Sequence, residues 1–253
     1  MAQRVLITAG GAGIGAGLVA GFAASGARVV FCDVDPAAVA QTEAQVPGCR
    51  GWVADVTDET AMNTFLQAAE DHLGGVDTVC ANAGIGGPAA RIEDIALADW
   101  RATLDVNLTG AFLTCRWAAR LMRAQGHGAI FLTSSTAGQW GFPHRSPYAT
   151  AKWGVIGLMK TLASELGPAG VRVNALCPGS VEGPRIDRVI DATAQARGIE
   201  PDEVRADFTA CSAMNTFVST EDIAHMALFL ASPAGARISG QAIAIDGHTL
   251  TCT

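Results

Sequence analysis

Short apolar runs, each bounded by polar or glycine residues, recur along the chain at about 3–9, 28–33, 50–54, 76–81, 129–134, 171–177 and 241–245. Runs of this length suit buried strands and fall short of the roughly 18 apolar residues a membrane-spanning helix needs. Stretches with a helical period lie between them. After Asp58, the residues Met62, Phe65, Leu66, Ala69 and Leu73 share one helix face, and Ser219 with Asp222 forms a capping box ahead of Ile223, Met226, Ala227 and Leu230. Strand followed by helix, repeated without a linker, predicts a single α/β domain over 1–253. Right-handed crossovers then give a doubly wound parallel sheet of about seven strands with helices on both faces. Composition agrees, since 49% hydrophobic against 16% charged suits a sheet buried on both sides. One stretch breaks the rhythm. Across 182–217 the strand signals stop and charges gather, among them Arg185, Asp187, Arg188, Arg197, Arg205 and Asp207, which predicts a loop or helical insertion that covers a site.

Other classes are disfavoured on simple grounds. The net charge of −7 is dispersed, with no basic run to neutralise a row of phosphates, so nucleic acid is not an expected partner. The start, MAQRVLITAG, lacks the parts of a signal peptide, and the expected location is the cytoplasm. The seven cysteines are an odd number without a C-x-x-C pair and read as free core thiols. His72, His127, His144, His225 and His248 show no metal-ligand spacing, so no metal is expected.

The run RVLIT leads straight into AGGAGIGAG and then a helix with Ile14, Leu18 and Phe22 on one face. Glycines in that context make a tight turn, let the backbone approach a pyrophosphate, and aim unpaired helix N–H groups at it. Gly10, Gly11, Gly13, Ile14 and Gly15 are therefore the expected dinucleotide cradle of a Rossmann-type fold. The next strand ends in Asp33, 18 residues past Gly15, near the spacing of an acid that hydrogen-bonds the adenosine ribose. A carboxylate there favours NAD over NADP, whose 2′-phosphate it would repel. Asp33 also suits a simple turn start before Pro36, and the two roles are compatible.

The single tyrosine, Tyr148, lies in SPYATAK with Lys152 four residues on. With Ser146 as N-cap and Pro147 first in the helix, both fall on one face near the helix start. A nearby ammonium and the helix N-terminus stabilise a phenolate, which suits acid/base work. Ser135 follows the strand GAIFLT at its expected carboxyl end, where ligands bind in such sheets. Together these landmarks resemble the short-chain dehydrogenase/reductase family over essentially the whole length. They run in family order: TAGGAGIG, Asp33, Asp55-Val56, the triplet Asn82, Ala83 and Gly84, Asn107 in VNLTG, Ser135, Tyr148 with Lys152, and CPGSV carrying Pro178, Gly179 and Val181.

The resemblance implies that Tyr148 exchanges a proton with an alcohol or carbonyl oxygen, Lys152 supports it and holds the nicotinamide ribose, and Ser135 positions that oxygen. It implies that Asn107 links Lys152 to solvent, although a helix-kinking or capping asparagine fits the sequence as well. Asp55 and Val56 would meet adenine, Asn82 to Gly84 would run along the cofactor, and Val181 would meet the carboxamide. A homotetramer or dimer is implied too. Three positions depart from the pattern: Ala9 for a first glycine, Gly183 where threonine is frequent, and His248 where glycine is usual. His248 is either a surface residue or one reaching a neighbouring subunit's site. Gln139, Trp140, His144, Arg145, Glu182, Arg185 and Arg188 are the residues expected to face substrate, a polar set that suggests a polyol, sugar or hydroxy acid. If the arginines are merely solvated and Trp140 lines an apolar pocket, a hydrophobic alcohol fits instead. A non-catalytic NAD sensor would have no use for the serine, tyrosine and lysine in register.

Overall fold

The computed structural model describes residues 2–250, the side chains of Arg185, Ala192, Thr193 and Ala196 excepted. Among these residues β1 (Arg4–Thr8), β2 (Arg28–Asp33), β3 (Arg50–Val53), β4 (Thr78–Ala81), β5 (Gly128–Thr133), β6 (Val171–Pro178) and β7 (Ala242–Ile245) form one parallel sheet. Its order is β3-β2-β1-β4-β5-β6-β7. The chain builds outward from β1 to one edge, then returns to lay β4 against β1's other side. The carboxyl ends of β1 and β4 therefore flank the crevice where ligands bind in such sheets.

Alternation along the strands divides the core in two. Val5, Ile7, Val29, Phe31 and Phe131 face α1 (Gly13–Ala24) and α9 (Thr220–Ala231), meeting Leu18, Phe22, Ile223 and Leu230. Leu6, Val30, Ile130, Leu132 and Val173 face the opposite way. They meet Phe65 of α3 (Glu59–Leu73), Met122 of α5 (Gly110–Gln125) and Met159 of α6 (Ser146–Leu166). The remaining helices on this route are α2 (Pro36–Gln45), after β2, and α4 (Leu97–Leu104), ahead of α5. Both helix readings from the sequence hold: the five apolar residues of α3 are buried, and the Ser219–Asp222 capping box forms in both directions. Cys32, Cys80, Cys115 and Cys177 are buried thiols, and burial pushes Cys32 and Cys115 up to about 12.

Residues 182–217 fold as α7 (Pro184–Arg197) and α8 (Pro201–Ala210). Among the described residues Ile190, Ala194 and Val204 form a small core of their own, lined by Ile186, Ile199, Phe208 and Phe217. Two seams join this pair of helices to the body. Val181 bridges Val218, and Ser212 bridges Thr249 in the tail.

Candidate active site

The glycine loop is a cradle that side chains would fill. A Cβ at Gly10 would run into the Phe31 ring, at Gly11 into Ala38 and Asp33, and at Gly15 into the Ala9 carbonyl and the Asn82 amide. Helix α1 begins after Ala12 with no side-chain cap and no acidic residue in its first turn, so its leading N–H groups are left for an anion to take. These features fit a dinucleotide's phosphates. Asp33 does two things at once: its Oδ2 accepts the Gly11 N–H at 2.9 Å, and its Oδ1 accepts the Asp35 N–H at 3.1 Å. The turn reading of Asp33 is thus correct, and the same carboxylate also locks the loop. Asp55 is exposed and accepts both the N–H and the hydroxyl of Thr57, at 2.9 and 2.8 Å, while Val56 is buried against Gly110.

A buried polar chain joins that loop to Lys152 on α6. Asn82 donates to the Thr8 and Ala9 carbonyls at 3.2 and 3.3 Å and accepts the Thr133 hydroxyl at 3.0 Å. Thr8 Oγ1 accepts the backbone N–H groups of Asn82 and Ala83, at 3.0 and 3.2 Å. The Thr133 carbonyl accepts from Lys152 Nζ at 2.9 Å. Lys152 is only 3% exposed, a costly burial for an ammonium, and its Nζ lies 5.5 Å from the centre of the Tyr148 ring. Beside them, Ser134 Oγ donates to the Lys152 carbonyl at 2.9 Å, fixing the strand end to α6. Sequence reading did not single out Thr133 or Ser134; a threonine and serine closing a buried strand are the only signal they give.

The helix carrying Tyr148 starts one residue earlier than expected. Arg145, not Ser146, is the N-cap, because the Arg145 carbonyl already accepts the Ala149 N–H at 2.9 Å. Ser146 is therefore the first helical residue and its hydroxyl caps nothing, while Pro147 sits second, where a missing N–H still costs little. Ser135 lies two residues past the end of β5 in extended conformation and caps the short turn Thr136–Gly138, its Oγ accepting the Ala137 N–H at 3.2 Å. Asn107 sits in a π-type turn at Asp105–Thr109 between α4 and α5. Its Nδ2 donates to the Ile85 and Thr103 carbonyls, each at 2.9 Å, and its buried Oδ1 has no partner in the protein. Asn107 therefore interrupts the helix, as a kinking asparagine would, and keeps a buried oxygen that no protein group satisfies. Gly84 is pressed against it, since a Cβ there would lie 2.7 Å from Asn107 Oδ1 and 3.1 Å from Lys152 Nζ.

CPGSV closes the other side. The Gly179 N–H bonds the Ile245 carbonyl at 3.0 Å, and Val181 pairs with Val218, so this loop is stitched to β7 and to the start of α9. Pro178 is the last residue of β6. Gly183 has φ 135° and ψ −178°, a conformation that only glycine adopts easily, and threonine cannot replace it without moving the backbone. Ala9 and His248, the other two departures, both have positive φ, 52° and 66°, which explains why glycine suits those positions.

The residues expected to face substrate divide. Gln139 turns its amide to the Ala242 carbonyl at 3.3 Å, and Arg145 turns its guanidinium to the Gly86 and Gly87 carbonyls. Trp140 and His144 stay exposed, as do Glu182 and Arg188. The Arg185 side chain lies outside the described residues.

Comparison with known proteins agrees with this geometry. A family model described as enoyl-(acyl carrier protein) reductase matches residues 8–248. A cis-4-hydroxycyclohexanecarboxylate dehydrogenase of Sinomonas cyclohexanicum is 35% identical over 97% of this chain and 96% of its own. Among solved structures, an NAD+-bound xylitol dehydrogenase superposes with a TM-score of 0.91 at 28% identity, covering 96% of this chain and 97% of that one. An actinorhodin polyketide ketoreductase variant with NADPH superposes with a TM-score of 0.93 at 28% identity, covering 98% of each chain. The buried Lys152 under Tyr148, the glycine cradle and these full-length likenesses lead to one assignment: the chain belongs to the short-chain dehydrogenase/reductase family of nicotinamide-dependent oxidoreductases.

Proposed function

We propose that this protein interconverts a polar secondary alcohol and its ketone with NAD, and that a hydroxy acid is the substrate class to try first. One observation carries the mechanism: the buried Lys152 Nζ, held by the Thr133 carbonyl, lies 5.5 Å from the centre of the Tyr148 ring. When bound, the nicotinamide supplies or accepts the hydride. Tyr148 gives its hydroxyl proton to the carbonyl oxygen in reduction and takes it back in oxidation, with the Lys152 ammonium beside its ring. Ser135 holds the reacting oxygen by a hydrogen bond, and Asn107 Oδ1, which no protein group satisfies, would accept from a water linking Lys152 to solvent. Gly10, Gly11, Gly13, Ile14 and Gly15 would take the phosphates, Asp55 and Val56 the adenine, and Asn82, Ala83, Gly84, Pro178, Gly179 and Val181 the nicotinamide end.

Asp33 supports NAD, because a carboxylate at the end of β2 repels a 2′-phosphate. The hydroxy-acid preference draws support from the name of the Sinomonas relative, and the exposed Trp140 offers a flat wall to a ring. Helices α7 and α8 would cover the bound substrate. We place the enzyme in the cytoplasm as a homotetramer or dimer; among the described residues no helix is long and apolar enough to cross a membrane.

The test follows nicotinamide absorbance for wild type and Tyr148→Phe, with NAD or NADP, over 4-hydroxycyclohexanecarboxylate, 3-hydroxybutyrate, xylitol, sorbitol and cyclohexanol. Turnover of a hydroxy acid or polyol with NAD, lost by at least about 100-fold in the variant while cofactor still binds, is the expected result. Preference for cyclohexanol would reassign the substrate class. Cofactor binding without turnover of anything would favour the sensing role.

A further inference from the structure

The loop that follows β4 begins at the catalytic lysine and is held from two sides. Gly84 abuts Lys152 Nζ and Asn107 Oδ1. The next three carbonyls then go to side chains: Ile85 to Asn107 Nδ2 at 2.9 Å, and Gly86 and Gly87 both to Arg145 Nη1 at 3.4 Å. The backbone adds a second tie, since the Ala90 N–H bonds the His144 carbonyl at 3.0 Å.

We propose that Arg145 is a positioning residue, whose guanidinium fixes residues 84–90 against the amino end of α6 and so sets the wall of the pocket over Tyr148 and Lys152. Three glycines in four residues give this segment more freedom than an ordinary loop, and freedom next to the reacting groups costs rate unless something removes it. Each 3.4 Å contact is weak alone, but one nitrogen, Nη1, reaches two successive carbonyls and the Ala90–His144 bond closes the same tie. The residue is also poor for the helix it opens. Arg145 is the N-cap of α6, makes no side-chain cap, and brings a cation to the positive end of the helix. A residue that breaks a local rule beside a catalytic pair is where a function other than stability is to be sought. Both contacts come from one guanidinium nitrogen, whose two N–H groups are fixed in the guanidinium plane, whereas a lysine ammonium turns freely.

This reading rests on Tyr148 and Lys152 as the reacting pair, so Tyr148→Phe is run beside it. Arg145→Ala and Arg145→Lys are compared with wild type in kcat, KM, direct NAD binding and melting temperature, using the best substrate of the panel above. Arg145→Ala should lose about 10- to 100-fold in kcat with NAD affinity and melting temperature close to wild type. Arg145→Lys should recover part of the loss, and millimolar guanidinium should raise the rate of Arg145→Ala without raising that of wild type or Tyr148→Phe. Wild-type kcat in Arg145→Ala beside an inactive Tyr148→Phe overturns this proposal alone. A loss of kcat matched by loss of NAD binding and of melting temperature, with no guanidinium response, also overturns it, since it marks a merely structural arginine. Full activity in Tyr148→Phe would sink the acid/base reading and this one with it.

Discussion

The body of the molecule and the pair of helices α7 and α8 are built on different principles. In the body, Tyr148, Lys152, Ser135 and the glycine loop hang on strand ends and a helix whose side chains are buried against the sheet, and buried polar bonds wire Lys152 to the glycine loop. The α7–α8 pair, among the described residues, has a core of three buried residues separate from the body's two. Its charges meet at the surface, Arg205 with Asp187 and Arg197 with Asp207, where ion pairs add little. The difference teaches that Tyr148, Lys152 and Ser135 are fixed by global stability, whereas the α7–α8 pair, the proposed cover, is fixed mainly at its two seams. Its local opening free energy should be well below that of the whole.

A matched pair of substitutions tests this most strongly. Ile130 and Ile190 are both buried, at 0% and 2% exposure, but the first is in β5 and the second in α7. Ile130→Ala should cost about 3 kcal/mol of global stability, a fall of roughly 10 °C in melting temperature. Ile190→Ala should lower global stability by less than about 1 kcal/mol, since opening the cover leaves the body intact. Its effect should appear as faster proteolysis within 184–210 and a higher KM. Equal falls in melting temperature would break the comparison and make the cover part of one cooperative core.

The hinge gives a smaller and more local effect. Gly183→Thr forces a side chain into a backbone conformation that costs about 2 kcal/mol, borne where the cover leaves the body. KM should rise about tenfold while melting temperature changes little. An unchanged KM would mean that the cover's starting angle does not control substrate access.

This same contrast governs how much could be read in the sequence. The seven strands, their helices and the carboxyl-end placement of Ser135 were legible because burial on both faces leaves unbroken apolar runs such as RVLIT and GAIFLT. The spacing of Tyr148 and Lys152 was legible because a helix converts a difference of four into one face. The bonds of Arg145 were not legible, since nothing in SPYATAK says that the chain two loops away offers the Gly86 and Gly87 carbonyls. Gln139 turned inward for the same reason, toward a carbonyl of β7. The threonine absent at position 183 could be noted, but only the backbone angle there supplies its cause. Contacts to distant backbone carry no local periodicity, so pattern reading cannot find them.

The second seam is chemical, and acid should loosen it. Asp246 Oδ1 accepts the His248 N–H at 3.0 Å and Oδ2 the Thr249 N–H at 2.8 Å, turning the tail back toward the cover. There the Gly247 and His248 carbonyls take the N–H groups of Met214 and Ala213, at 3.1 and 2.9 Å, and the Leu250 N–H reaches the Cys211 carbonyl at 2.8 Å. Partial burial alone would raise the Asp246 carboxyl, but the bonds from Thr249 and His248 and the nearby His248 charge together hold it below the ordinary carboxylate range. A lowered value means the stabilisation is complete above the ordinary range and disappears as pH falls through the folded-state value, below about pH 4. Amide exchange, corrected for its intrinsic pH dependence, should therefore show protection at 211–214 falling in that window while protection in β5 persists. Asp246→Asn, which loses about 1 kcal/mol from this turn, should show the lower protection already at neutral pH and no further step in acid. If the variant keeps the wild-type acid step, some other group holds the seam. If β5 loosens together with 211–214, the two regions titrate as one body and the distinction between them fails at its mildest test.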